Sequence, residues 1–370
     1  MRDLTQGSIR GHLIAMAIPI TDGMLVQTLY LMVDLYFVSG LGKEAVAGVA
    51  AAGNVSLVVL AVAGSVLRGA GIAKPGMVVQ VSTVGLNVLL APVLIAGWGT
   101  HHPLGIAGAG LATSLSVAAG LVILLGYLGR LGTIVDFPHG LARPDGAILR
   151  RMLRIGMPAG GEFVIMVLLN SSIYALIADF GAAAQAGYGI AGRVMQALLM
   201  PAMAISFAVP AVAGQNFGGR QPARVSETLK QALLLEMLAM ALTVVGCQHW
   251  APALVAWFTD DPRAIEAGVT ILRVISWNFF GTGIVFACSG MFQATGNTLP
   301  ALLSSTTRLV TFLVPALWLH GRPGHALVEF WYLSVASATL QAVLSLLLLR
   351  RHLGRHLAPL RLPATAAGEA

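Results

Sequence analysis

Residues 12–38 read HLIAMAIPITDGMLVQTLYLMVDLYFV, and this stretch decides the fold. It is long enough to cross about 30 Å of hydrocarbon as an α-helix, yet it carries a carboxyl group at Asp34. An ionised carboxylate is costly in hydrocarbon, so such an acid normally faces a cavity, a partner or a coupling ion. Gln27 and Tyr30 precede Asp34 by two turns and one turn and share its helix face. Asp34 is therefore the first functional candidate; the alternative is that it reaches water at the membrane surface.

Apolar residues dominate the whole chain and not only this stretch. Of 370 residues, 57% are hydrophobic and 10% are charged, against about 25% charged residues in a typical soluble domain. Ten apolar segments are long enough to span a membrane: 12–38, 45–66, 76–97, 105–128, 155–177, 184–213, 229–249, 265–291, 299–319 and 327–349. The sequence therefore predicts an all-α, polytopic membrane protein with about ten transmembrane helices.

Basic residues are distributed unevenly between the predicted loops. Sixteen lysines and arginines fall in the N-terminus, the C-terminal tail and the loops on the same side, whereas Lys43, Arg263 and Arg322 fall on the other side. Because cytoplasmic loops carry the excess of Lys and Arg, both termini are predicted to be cytoplasmic. Topology thus explains the net charge of +7, and no nucleic-acid partner is needed.

The longest polar interruption divides the chain into two predicted lobes. It separates the first four spans from the last six and contains two prolines. The predicted organisation is an N-terminal lobe (1–128), a cytoplasmic inter-lobe loop (129–154), a C-terminal lobe (155–350) and a cytoplasmic tail (351–370).

An internal repeat supports the two lobes. Residues 41–53 align without gaps on 180–192, with six of thirteen positions identical, and 67–75 resemble 292–300. The paired segments begin 26 residues apart in the first lobe and 112 apart in the second, so the first lobe has 86 fewer residues there. That difference corresponds to two spans, which predicts a four-helix lobe beside a six-helix lobe, and internal repeats are common in secondary transporters.

Three stretches resemble the multidrug and toxic compound extrusion (MATE) family of cation-coupled efflux transporters. They are 19–42 in the first span, 67–75, and 214–219 with the following Arg224. The resemblance extends to about residue 349. It implies two six-helix lobes, of which the N-terminal lobe is shortened here.

The resemblance implies roles for three polar residues of the N-terminal lobe. Asp34 matches the acid in helix one that the family uses for proton or sodium coupling, Asn87 matches an accompanying asparagine, and Thr113 matches a threonine near the same site. A further acid, four residues after the asparagine, is replaced here by Ala91. Because sodium needs several oxygen ligands, this incomplete set favours a proton on Asp34.

Three further charges inside predicted spans are singled out: Glu162, Arg193 and Arg308. Glu162 is the one charge of span 155–177 and matches an acid that some branches of the family carry early in helix seven, so it is a fourth coupling candidate. Alternatively, it reaches water or Arg154 at the end of the helix. Arg193 and Arg308 are interpreted as structural tethers between helices.

Four residues are candidates for a substrate cavity. Gln27 and Tyr30 share the helix face of Asp34. Met195 and Met200 offer adaptable apolar surface, although methionines at helical spacing more often serve in packing.

Other chemistry has little support in the sequence. It contains no GxxxxGK[ST], GxSxG or HExxH motif, so neither ATP-driven pumping nor an enzyme is predicted. No metal and no cofactor is expected beyond a coupling H⁺ or Na⁺.

The sequence thus predicts a secondary active efflux transporter, monomeric, in the bilayer of the plasma membrane, with a bacterial inner membrane as the expected location. It would exchange protons, in preference to sodium, for hydrophobic or cationic small molecules of the multidrug type. Two alternatives remain open: an exporter of a lipid-linked or polar substrate from the same superfamily, and a degenerate membrane protein that does not transport because part of its N-terminal lobe is missing.

Overall fold

The computed structural model describes residues 3–39, 64–99, 101–130 and 145–358. The regular elements of these residues are helices, with a short 3₁₀ turn at Ala178–Phe180. The α-helices are α1 Ile9–Ser39, α2 Lys74–Ala96, α3 Gly105–Arg130, α4 Gly146–Leu176, α5 Ala182–Gly218, α6 Pro222–Ala256, α7 Pro262–Ile275, α8 Asn278–Ala294, α9 Leu299–His320 and α10 Leu327–Leu357. The all-α prediction is confirmed.

Eight of the described helices are individually long and apolar enough to cross a membrane. Helices α7 and α8 pass the same test together, with a bend of 52° between them, and bring the number to nine when counted as one span. All nine correspond to predicted spans, whereas the tenth, 45–66, lies almost wholly outside the described residues. The chain is a polytopic membrane protein.

Polar side chains compensate the bend between α7 and α8. The carbonyl of Arg273 accepts hydrogen bonds from Gln248 Nε2 (2.7 Å) on α6 and from Ser276 Oγ (3.0 Å). Gln248 also donates to Ser276 Oγ at 3.0 Å. Since backbone groups at membrane depth must be satisfied within the protein, these bonds replace helical ones that the bend removes.

The chain divides into two compact units. The first contains α1 from Ile14 together with α2 and α3, and the second contains Thr5–Leu13 and α4 to α10. The core of the second unit has one cluster around Trp331 and Phe312 and another around Met240. Small buried residues such as Ala191 let neighbouring helices of this unit approach closely.

Helix α4 begins before the apolar span that it carries. The Asp145 carboxylate accepts a hydrogen bond from the Ala147 backbone N–H at 2.8 Å and thereby caps the helix. The helix therefore starts at Gly146, and the end of the segment predicted as the inter-lobe loop, 146–154, is its first two turns.

Arg224 fixes the junction of α5 and α6. Its Nε donates to Asn216 Oδ1 at 2.7 Å, and its Nη1 donates to the Gly7 carbonyl at 3.0 Å. The buried Asn216 amide in turn donates to the Val212 carbonyl at 2.8 Å, so both polar atoms of its side chain are hydrogen-bonded. The 214–219 stretch is therefore structural in this chain.

Candidate functional site

Helices α2 and α3 bring Asn87 and Thr113 together in the first unit. The buried residues of α2 recur every four positions, and Asn87 lies in the middle of this stripe. Its Nδ2 donates to Thr113 Oγ1 on α3 at 3.4 Å. The two helices cross closely at Gly108, where an added Cβ would stand 2.2 Å from the Leu94 carbonyl oxygen. These contacts unite two of the predicted coupling residues.

The Asn87 side chain has an unsatisfied acceptor. The residue is 0% exposed, and its Oδ1 has no hydrogen-bond partner. Leaving a buried carbonyl oxygen without a hydrogen-bond donor costs about 1–3 kcal/mol. This oxygen can therefore accept a hydrogen bond from a further donor or ligate a cation. Ala91, one turn further along the same stripe, is also buried and adds no oxygen ligand.

Tyr30 and Asp34 belong to α1, whose backbone is helical without interruption to Ser39. Their side chains are outside the described part of the structure, so their predicted roles stay predictions. The continuous helix supports the spacing argument that assigns Gln27, Tyr30 and Asp34 to one face.

Gln27 pairs with a residue of α2 that the sequence did not single out. Gln80 Nε2 donates to Gln27 Oε1 at 2.6 Å. The pair is partly buried, and a Cβ at Gly23 would approach Gln80 Oε1 to 3.0 Å. Gln27 thus serves as a contact between α1 and α2, and its role in a substrate cavity stays a prediction.

Glu162 lies on α4 in the second unit and is partly buried. Both of its carboxylate oxygens accept from Ser289 Oγ on α8, at 3.0 and 3.1 Å. Arg154 is exposed, and among the described residues no ion pair involves Glu162. The hydrogen bond therefore ties Glu162 to the interior of the unit rather than to a basic group.

Glu236 on α6 is an intramembrane acid that sequence reasoning missed. It is 0% exposed, and neither carboxylate oxygen has a hydrogen-bond partner. Its Cβ lies on the side where α6 meets Gly283 of α8. The signal was present, because Glu236 is the only acid of the predicted span 229–249, and a carboxyl group inside an apolar span is what selected Asp34.

The remaining candidates differ in burial. Met200 is buried, and Met195 packs against both core clusters of the second unit. Arg193 is exposed and Arg308 is partly buried, and neither forms an ion pair with a described residue. Their proposed tether role stays a prediction.

Comparison with known proteins identifies the family. The MatE family model matches residues 158–318. The multidrug export protein MepA of Staphylococcus haemolyticus is 30% identical over 250 residues, which cover 67% of this chain and 54% of that protein. The chain belongs to the MATE family. The probable multidrug resistance protein NorM of Thermotoga maritima is likewise 30% identical to this MATE chain, over 71% of it and 56% of that protein.

Solved structures agree with the MATE fold. A crystal structure of MATE in the bent conformation matches with a TM-score of 0.82 at 21% identity and covers 97% of this chain and 98% of that chain. This likeness concerns the fold. The chain spans about half the length of the curated relatives that it matches. As a MATE protein with several apolar helices it is a multi-pass membrane protein.

Proposed function

We propose that this MATE chain is a secondary active efflux transporter that exchanges protons for hydrophobic or cationic small molecules. The names of its relatives, a multidrug export protein and a probable multidrug resistance protein, support this substrate class. A contact between two helices of the first unit supports the coupling by protons.

The hydrogen bond between Gln80 and Gln27 carries the proposal. Seven residues after Gln27 on α1 comes Asp34, and seven residues after Gln80 on α2 comes Asn87. Seven residues are about two helical turns, or ~10.5 Å. The predicted span 45–66 between the two helices makes them parallel, so Asp34 and Asn87 are expected at one depth in the membrane.

A proton suits this arrangement. A protonated Asp34 carboxyl group is a hydrogen-bond donor, and Asn87 Oδ1 is a buried acceptor that has no donor. Sodium would need several oxygen ligands, but Ala91 occupies the next position of the stripe. Protonation of Asp34 would change the affinity for substrate, and substrate would change the affinity for protons by the same factor.

The test is dye efflux from proteoliposomes under an imposed pH gradient or an imposed sodium gradient. The native chain is compared with Asp34→Asn and with Asp22→Asn, a matched control because Asp22 is an exposed acid on the same helix. We expect efflux driven by the pH gradient in the native chain and in the control, and its loss in Asp34→Asn. Efflux driven by sodium alone would contradict proton coupling, and no efflux from folded protein would favour the non-transporting alternative.

A further inference from the structure

Two histidine rings lie side by side at one end of the second unit. His320 is the last residue of α9, and His325 follows it in the connection to α10. Their ring centroids are 5.5 Å apart, with an angle of 59° between the ring planes. Four residues separate them in the sequence, and zinc sites often take two histidines separated by about three to five residues. The two residues are called here the α9 histidine pair.

An acceptor orients each ring through one of its nitrogens. His325 Nδ1 lies 2.8 Å from the Arg322 carbonyl oxygen, and His320 Nε2 lies 3.4 Å from the Asp179 carboxylate in the turn between α4 and α5. Both oxygens can only accept, so the hydrogens of the neutral rings belong on these two nitrogens. Carbonyl and carboxylate partners of this kind orient metal-binding histidines and fix their tautomer.

The other nitrogen of each ring has a lone pair and no donor. Among the residues that the structure describes, neither His320 Nδ1 nor His325 Nε2 has a hydrogen-bond partner, and both atoms are buried. The two nitrogens cannot satisfy each other, because neither carries a hydrogen in this tautomer. An unprotonated imidazole nitrogen is also the form that binds a metal ion.

The distance between the rings fits a shared metal ion. A zinc–imidazole bond is about 2.0–2.1 Å long and a ring nitrogen lies about 1.1 Å from the ring centroid, so two imidazoles on one tetrahedral zinc have centroids about 5.2 Å apart. The observed distance of 5.5 Å is close to this value. Imidazole suits zinc, nickel and copper, whereas magnesium and calcium prefer oxygen ligands.

Aromatic side chains surround the pair. Phe180 and Phe330 lie perpendicular to the His325 ring, at centroid distances of 5.2 and 5.8 Å, and restrict its rotation. The guanidinium group of Arg322 lies over the Trp318 ring, 3.4 Å from its centroid, so that ring engages its positive charge. An apolar shell of this kind around a metal site limits the access of solvent.

We propose that the α9 histidine pair binds a divalent transition-metal ion, with Zn²⁺ as the expected ion, through His320 Nδ1 and His325 Nε2. In the described part of the chain, no group of three or more His, Cys, Asp or Glu side chains is arranged to hold a metal. The protein therefore supplies two ligands, and water completes the coordination; the His320 side chain is 34% exposed, so water can reach it. Asp179 is a positioning residue. The site goes beyond the proposed efflux function and does not depend on it.

The test is isothermal titration of Zn²⁺ into the full chain in nanodiscs of zwitterionic lipid, with excess Mg²⁺ present and empty nanodiscs as the blank. The protein is purified without a polyhistidine tag. The variants are His320→Gln, His325→Gln, Asp179→Ala and Asp179→Asn. His249→Gln is the matched control, because His249 Nδ1 also lies 3.2 Å from a backbone carbonyl oxygen, but the neighbouring ring is Trp250 instead of a second histidine.

We expect either histidine substitution to raise the Kd of zinc about tenfold or more, which is about 1.4 kcal/mol. Asp179→Ala should raise it less, with recovery in Asp179→Asn, whose amide oxygen still accepts from His320. The control should bind zinc as the native chain does. Native affinity in both histidine variants would overturn the proposal, and so would displacement of zinc by Mg²⁺.

X-ray absorption spectroscopy of the zinc-loaded native chain requires no variant to fold. Two imidazole nitrogens at about 2.0–2.1 Å, with oxygen in the other positions, are expected. A shell of oxygen alone would assign the zinc to carboxylates or lipid phosphate and would overturn the proposal. Neither experiment involves a gradient or a transported substrate, so the site and the proposed function can fail independently.

Discussion

Replacing Glu236 with methionine should stabilise the second unit. The carboxyl group is wholly buried, and neither oxygen has a hydrogen-bond partner. Its surroundings on α6 and α8 include Gly283, Met237 and Met240. A buried polar group that has no hydrogen-bond partner costs about 1–3 kcal/mol. Methionine has a similar length and no atom that requires a partner.

The expected gain is about 2 kcal/mol, the middle of that range. For a unit of this size, 1 kcal/mol corresponds to about 2–4 °C in Tm, so Glu236→Met should raise Tm by ~4–8 °C. The chain provides its own probe, since its two cysteines, Cys247 on α6 and Cys288 on α8, are both buried. A thiol-reactive fluorophore will report unfolding of these helices in detergent during a thermal ramp.

Glu227 supplies the matched control for this experiment. It lies on the same helix, and its Oε1 accepts from Gln231 Nε2 at 2.6 Å. Glu227→Met removes that bond and should not raise Tm. A lower Tm in Glu236→Met, with Tm retained in Glu236→Gln, would refute the reasoning, because it would mean that the carboxyl group has a partner in the folded protein.

Four further substitutions follow from the described contacts. Asn87→Leu should lower pH-driven efflux at least about tenfold, because it removes the buried acceptor. Thr113→Val should lower efflux less, because the hydrogen bond between Thr113 and Asn87 is long, at 3.4 Å. Initial efflux rates of the two variants are compared with that of the native chain. Ser289→Ala should cost about 1 kcal/mol, measured as a fall in Tm, because Glu162 loses its donor for both oxygens. Gly108→Ala should reduce the yield of monodisperse protein in size-exclusion chromatography, because its Cβ would collide with the backbone of α2.

The length of apolar runs was enough to predict the helices. Nine predicted spans coincide with described helices because a membrane-spanning segment must satisfy its backbone internally and must be apolar over about 20 residues. The ends of the helices were less predictable, since α4 is extended to Gly146 by the Asp145 cap rather than by hydropathy. The bend between α7 and α8 was not predicted, because Gln248, which bonds the backbone at the bend, comes from another helix.

Residues of the candidate site were predictable only where spacing along one helix or the family resemblance selects them. Asn87 and Thr113 were selected by resemblance, and helix packing brings them together. The contact of Glu162 with Ser289 could not be predicted, because the two residues come from α4 and α8 and no local spacing connects them.

Glu162 and Glu236, two intramembrane acids of the second unit, have environments that suit different roles. Glu162 is partly buried and has a hydroxyl partner, so a proton can move between its carboxyl group and water without a large rearrangement of the helices. Glu236 is wholly buried against the contact of α6 with α8, so water can reach it only if these helices separate. A coupling residue must be accessible in turn from each side of the membrane during the cycle. Glu162 meets this condition more easily than Glu236, and the more strongly buried acid is therefore the weaker candidate for coupling.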